Sequence, residues 1–139
     1  MRIDCQTGES VEISPERMEA GDFRDLSLHK ALLTSSSLAS FVFDDSDLRG
    51  ALLDQANLGG ASFRNVRAMN ALFVGSNLRN AKFDGAKLMG AVFDGADLRD
   101  SNLTGADVAF ASFVGCDLRG AQLAVLRGDE ADFTDARLD

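Results

Sequence analysis

Histidine, cysteine and the carboxylates are the side chains here that could act on a substrate, so their number and spacing come first. The one histidine is His29, and spacing places no cysteine, serine or carboxylate beside it as a nucleophile or orienting group. The two cysteines, Cys5 and Cys116, are too few for a disulfide framework. Asp and Glu total 22, but they are spread along the chain without the spacing of a calcium loop. The glycines recur at regular intervals and form no phosphate-binding loop. These residues predict no catalytic group, no cofactor and no metal. They also predict reduced thiols, and with them a cytoplasmic setting.

The formal net charge is −8, which argues against direct binding to nucleic acid or to an anionic membrane, since both need a basic surface. No apolar run approaches the roughly 20 residues of a membrane span. The start of the chain, Met1-Arg-Ile-Asp-Cys-Gln-Thr-Gly, lacks the apolar stretch of a secretory signal. The chain has 10 Phe but no Tyr and no Trp, so it uses aromatic bulk with no polar handle to satisfy.

The elements that must hold these residues follow from a repeat of five. Taking every fifth residue from Phe23 to Leu138 gives 24 positions, and 21 are Leu or Phe; Ala68, Val108 and Gly128 are the exceptions. Two residues earlier, 20 of 24 positions are Ala, Ser, Gly or Cys, with Leu26, Phe41, Val66 and Leu126 as exceptions. Small and large sites two apart point to one side of an extended segment, and the Gly, Asp or Asn that follows is turn chemistry. The chain therefore alternates very short strands with corners and coils into a tube filled by these two series. The fold class is all-β, a solenoid.

The eight Phe of the large series (23, 43, 63, 73, 83, 93, 113 and 133) are separated by ten or multiples of ten, and the alternate sites never hold Phe. Faces thus alternate between Phe-permitting and Leu-only, which requires an even number per turn. Before the repeat, Ile3 and Cys5, then Val11 and Ile13, alternate around Thr7-Gly8 and predict a short hairpin. Ser14-Pro15-Glu16, with Gly21 beyond, predicts a short helix. Residues 1–20 are read as an N-terminal cap and residues 21–139 as the solenoid.

Units such as Ala56-Asn-Leu-Gly-Gly and Ala96-Asp-Leu-Arg-Asp make the chain resemble the pentapeptide-repeat proteins, whose units follow Ala-(Asp/Asn)-Leu-x-x. The resemblance implies a right-handed quadrilateral β-helix with four units per turn. About six turns at a spacing of ~4.8 Å would make a rod roughly 29 Å tall. It also implies a non-enzymatic role. Some members imitate the girth and negative charge of DNA and modulate or protect type II topoisomerases such as DNA gyrase. Some form homodimers through their C-terminal ends, using an added helical element that is not found here. Ala136-Arg-Leu-Asp139 stops inside a unit and shows no cap.

With four faces, residues 20 apart stack. The face centred on Leu33, Leu53, Phe73, Phe93 and Phe113 then carries outward Leu32, Leu52, Leu72 and Val92, with Val74 and Val114 beside them. Met69 and Met89 adjoin from the next face, and Phe110 stands at the corner. This apolar stripe is the expected site for a protein partner, or for a second copy in a homodimer. The DNA-mimic alternative would instead use an acidic surface of Asp44, Asp84, Asp94, Asp97 and Asp117. Arg79, Arg99 and Arg119 stand beside Asn77, Asp97 and Asp117, which suggests a ladder of cross-rung ion pairs. Three irregularities carry expectations of their own. Val66 with Ala68, and Leu126 with Gly128, exchange the sizes of neighbouring inward sites and so keep volume. Phe41 before Phe43 has no such compensation and predicts a swollen early turn.

Overall fold

The computed structural model describes all of residues 1–139. From Asp22 onward the backbone pairs with itself in one register. Asp22 bridges Val42, Val42 bridges Ser62, Ser62 bridges Lys82, and the pattern holds on every face up to Asp117 with Arg137, always parallel. A parallel register of 20 residues on units of five gives four faces per turn. The first face is centred on Phe23, Phe43, Phe63 and Phe83. The second is centred on Leu28, Leu48 and Ala68, the third on Leu33, Leu53 and Phe73, and the fourth on Leu38, Leu58 and Leu78.

One unit shows why five residues suffice. In Ala71–Gly75, the Ala71 N–H donates to Ala68 O across the corner at 3.1 Å. The Leu72 N–H reaches down to Ala51 O at 2.9 Å, while those of Phe73 and Gly75 reach up to Val92 O and Asp94 O at 2.7 and 2.9 Å. Only the Val74 N–H has no backbone acceptor, and it donates to Asp54 Oδ1 at 2.9 Å. An N–H without a backbone acceptor gains from a side-chain one, and about half of the units supply it at the residue after the centre. Usually that acceptor is the Asp or Asn two residues earlier. Asp97 Oδ1 accepts from Arg99 N–H at 3.1 Å, and Asn102 Oδ1 accepts from Thr104 N–H at 3.0 Å. This bond explains the Asp or Asn second residue of those units.

Corners are equally uniform. Every fifth residue from Asp25 to Asp135 has φ between 54° and 74°, the left-handed region required at the third residue of a type II turn. Gly, Asn and Asp fill most of these positions, as sterics dictate. Phe110 (φ 59°) and Val125 (φ 56°) do not fit that preference, and both are exposed.

The interior is apolar apart from a few small inward serines. Phe43, Phe63 and Phe83 stack at 4.9 and 4.7 Å up the first face. Phe73, Phe93, Phe113 and Phe133 stack at 4.8–4.9 Å up the third. The two columns meet edge to face, as between Phe73 and Phe83 at 5.9 Å and 88°. Ser46 and Ser76 occupy small inward sites and donate to Phe43 O and Phe73 O, so their hydroxyls cost little.

At the start, β1 (Arg2–Asp4) pairs antiparallel with β2 (Ser10–Glu12), Ile3 opposite Val11. The hairpin lies where a lower rung would run on the third face. Cys5 bridges Ala31 antiparallel, and the Leu32 N–H donates to Asp4 O at 2.8 Å. Ile3, Cys5 and Ile13 are buried against the first coil. The short helix α1 (Pro15–Ala20) begins with Ser14 Oγ accepting from Arg17 N–H and ends at Gly21, φ 62°.

Gly21 also corrects the expectation of a swollen early turn. A side chain there would meet the Phe41 ring at 3.1 Å, so the missing Cβ one rung below makes room for Phe41. The ring packs on Phe23 at 5.3 Å, and Val42 N–H still donates to Gly21 O at 2.8 Å. Compensation therefore exists, but 20 residues away. Val66 and Ala68 are both fully buried, and the Leu126 side chain lies 3.9 Å from where a Gly128 Cβ would stand.

The Phe columns dominate the core. Phe83→Ala is expected to destabilise the protein by about 3–5 kcal/mol, whereas Phe83→Leu should cost less than about 1.5 kcal/mol because Leu103 already continues that column. Urea unfolding followed by circular dichroism measures both. Phe110→Gly should stabilise by about 0.5–1 kcal/mol by relieving a left-handed aromatic residue.

Candidate functional site

Apart from the two buried cysteines, the residues with chemistry lie outside the core, and the structure groups them differently from the sequence expectation in one place. The hairpin folds back so that Cys5, Glu9 and Ser10 share a shallow depression of about 590 Å³ with Ser27 and His29. Spacing along the chain gave no sign of this, because an antiparallel contact with Ala31 creates it. Burial, and then the carboxylates of Glu9 and Asp4, push the Cys5 thiol up, the opposite of an activated nucleophile. Cys116 fills a small inward site, where burial pushes its thiol up to about 12 and its S–H donates to Phe93 O. Nowhere are three or more His, Cys, Asp or Glu side chains gathered to hold a metal. No helix is long and apolar enough to cross a membrane.

The five acidic positions of the mimic alternative fall on three faces. Asp44 and Asp84 lie on the first, Asp94 on the third, and Asp97 and Asp117 on the fourth. Asp97 and Asp117 are each gripped by the arginine two residues on, Arg99 and Arg119, at 2.6 Å. Asp84 faces Arg64 at 3.3 Å. The close ion pairs on the fourth face therefore lie within units, and the cross-rung contact Arg99–Asp117 is longer at 3.8 Å. The reason is geometric: the carboxylate already turned toward its own backbone N–H also meets the guanidinium attached to it.

The apolar positions, in contrast, fall together. Leu32, Leu52, Leu72 and Val92 are consecutive bridge partners up the third face. Val74 and Val114 flank them, half-buried. Around the corner, Met69 and Met89 line a groove of about 550 Å³ with Arg67, Lys87 and Asp107. Phe110 stands on that corner, 59% exposed, with Met89 and Leu32 each 45% exposed. The third face carries four outward apolar residues on consecutive rungs, and the second face carries two, Met69 and Met89.

The ion pairs generate a pH dependence. The Arg119 side chain holds the Asp117 carboxyl down at about 2, and Arg99 likewise lowers that of Asp97. A depressed carboxyl contributes stability that is present above its unfolded value and lost as pH falls through its folded value. The melting temperature should therefore fall between about pH 4 and pH 2. The double variant Asp97→Asn with Asp117→Asn, which keeps both amide acceptors for the backbone, should show a shallower fall in the same titration.

The sequence from residue 27 to residue 139 matches the family model for pentapeptide repeats, in overlapping segments amounting to 8 copies. Among curated proteins nothing matches. Among solved structures, the chain is similar to the pentapeptide repeat protein Rfr23 from the cyanobacterium Cyanothece 51142. There the TM-score is 0.60 and the identity 19%, over 89% of this chain and 96% of that one. It is also similar to alr5209, a pentapeptide repeat protein from Nostoc PCC 7120, at a TM-score of 0.53 and 24% identity over 63% of this chain and 84% of that one. A looser likeness, TM-score 0.46 and 19% identity over 78% and 77% of the two chains, is to QnrB1, a plasmid-mediated fluoroquinolone resistance protein. The register of 20 on units of five, the left-handed corners and the family match agree: this chain belongs to the pentapeptide-repeat family, whose fold is a right-handed quadrilateral β-helix.

Proposed function

We propose that the protein is a non-enzymatic, cytoplasmic scaffold that binds another protein through the third face. The observation that carries this reading is the continuous stripe Leu32–Leu52–Leu72–Val92, extended around the corner by Met69, Met89 and Phe110. Contiguous apolar surface is the feature that separates interaction sites from scattered exposed residues. A second feature supports it. Phe110 holds an exposed aromatic ring in a backbone conformation that favours glycine, a local cost that folding alone does not require. Leu72→Asp with Val92→Asp should leave the circular dichroism spectrum unchanged and abolish association with the partner recovered from native extract. Undiminished association of that variant would refute the reading.

The net charge of −8 supports a second reading, modulation of a type II topoisomerase. It requires purified protein to alter DNA supercoiling by gyrase at micromolar concentration, with or without a quinolone. The interleaved arginines of the first and fourth faces weigh against it.

A further inference from the structure

Charge is distributed unevenly around the rod. On the first, second and fourth faces, outward carboxylates meet guanidinium groups: Asp22 with Arg24, Asp47 with Arg49, and Asp97 with Arg99. The third face has none of this. Its outward and following positions hold Asp54, Asp94 and Asp132 and no Lys or Arg, and none of these carboxylates is in a salt bridge. The face that presents the apolar stripe is therefore also the one whose carboxylates have no Lys or Arg on the same face, although Asp44 and Asp107 elsewhere are likewise in no salt bridge.

The backbone explains part of this. Leu72 cannot accept a hydrogen bond, so Val74 N–H takes Asp54 Oδ1 from the rung below; Val114 N–H takes Asp94 Oδ1, which also accepts from the hydroxyl of Ser112 in Val114's own unit. That role does not need charge, however. Asn57, Asn77 and Asn102 supply neutral acceptors for the equivalent N–H groups on other faces. The negative charge of Asp54 and Asp94 exceeds what the fold requires.

We propose that the third face takes a cationic amphipathic helix of a partner protein, its apolar side on Leu52, Leu72 and Val92 and its Lys or Arg side chains on Asp54 and Asp94. This rests on the reading of the stripe as a docking surface and adds the chemistry of what docks. Pitch matches as well as charge. A helix laid along the rod rises ~5.4 Å per turn against a rung spacing of ~4.8 Å, so successive turns meet successive rungs. Asp54 and Asp94 lie two rungs apart, about 10 Å, which is the reach of cations at i and i+7. Arg67 and Lys87 border the stripe on its other edge; Arg67 lies 3.9 Å from the Asp47 carboxylate one rung below, and Lys87 is in no salt bridge. Lys87 repels cations there and so directs the basic edge of the helix toward Asp54 and Asp94.

The test uses a 14-residue helical Leu/Lys peptide and its Leu/Glu counterpart, fluorescently labelled, with anisotropy read against the full chain at low salt. The Leu/Lys peptide is expected to bind, and the Leu/Glu peptide is not. Asp54→Asn with Asp94→Asn keeps both backbone acceptors and should weaken binding about fivefold, the scale of two exposed ion pairs. Asp25→Asn with Asp45→Asn removes the same charge from corners remote from the stripe and should change little. Leu72→Ser with Val92→Ser should weaken binding further. Equal losses in the two charge variants would show attraction to net charge alone and overturn the proposal. Loss only in the serine variant, or binding of both peptides, would also overturn it while leaving the stripe as a docking surface. So would self-association of the protein alone that the serine variant abolishes, since the occupant would then be a second copy. Binding unaffected by any of these variants would sink both readings.

Discussion

The structure depends on one constraint: a unit of five residues has five N–H groups, and the ladder and its turns satisfy only four. One N–H donates across the corner, one downward and two upward, and each coil becomes the template for the next. The fifth, on the residue after the centre, receives a side-chain oxygen in about half of the units. Asp or Asn two residues earlier supplies it within the unit; Asp44, Asp54 and Asp94 supply it from the rung below. Much of the acidity of this chain follows from that need, which is why net charge alone says little about partners. Carboxylates placed for the backbone are then close enough to recruit Arg99 and Arg119 as ion-pair partners.

The same ladder governs the core. Inward side chains repeat at the rung spacing, so identical residues stack, and planar rings stack best. Phe columns on opposite faces meet edge to face at 5.8–5.9 Å, a favourable arrangement for ring quadrupoles. Were adjacent faces both to hold Phe, rings would crowd at a corner where the small series leaves only the width of an alanine. The alternation of Phe-permitting and Leu-only faces is thus a packing solution imposed by a narrow square tube. Corners bear the cost in left-handed residues, and the preference for Gly, Asn and Asp at those sites reduces it.

A strict repeat makes a sequence unusually readable. The period gave the inward and outward series. The ten-residue spacing of Phe required an even number of faces, and residues 20 apart, once four faces are assumed, do stack as Phe43, Phe63 and Phe83 do. Legibility fails where a fact depends on the partner rung or on a segment without the repeat. Phe41 looked uncompensated because its relief, the missing side chain of Gly21, lies one coil below and is also the end of α1. The ion pairs of the fourth face were expected across rungs because stacked columns are visible in the sequence, whereas the backbone bond that turns each Asp toward its own unit is not. Cys5 reached the neighbourhood of His29 through antiparallel docking of the hairpin, for which no periodicity gives warning.

What distinguishes this rod from an idealised one is therefore confined to positions the ladder leaves free. Inward sites are fixed by volume, corners by φ, and the Asp and Asn second residues by the extra N–H. Leu52, Leu72 and Val92 give up that second-residue role; Asp54 takes it over from the rung below for Val74, and Asp94 does so for Val114, whose own unit has Ser112. Most other units place a polar side chain there, and where it is Asp the in-unit cap and its arginine pair satisfy several groups with few residues. Replacing such polar side chains with leucine and valine over three consecutive rungs sacrifices local hydrogen bonding and exposes apolar surface at once. Phe110 adds a third departure at the adjoining corner. Three costs with separate physical origins fall on one edge of the rod, and a surface that must be recognised by another molecule accounts for all of them together.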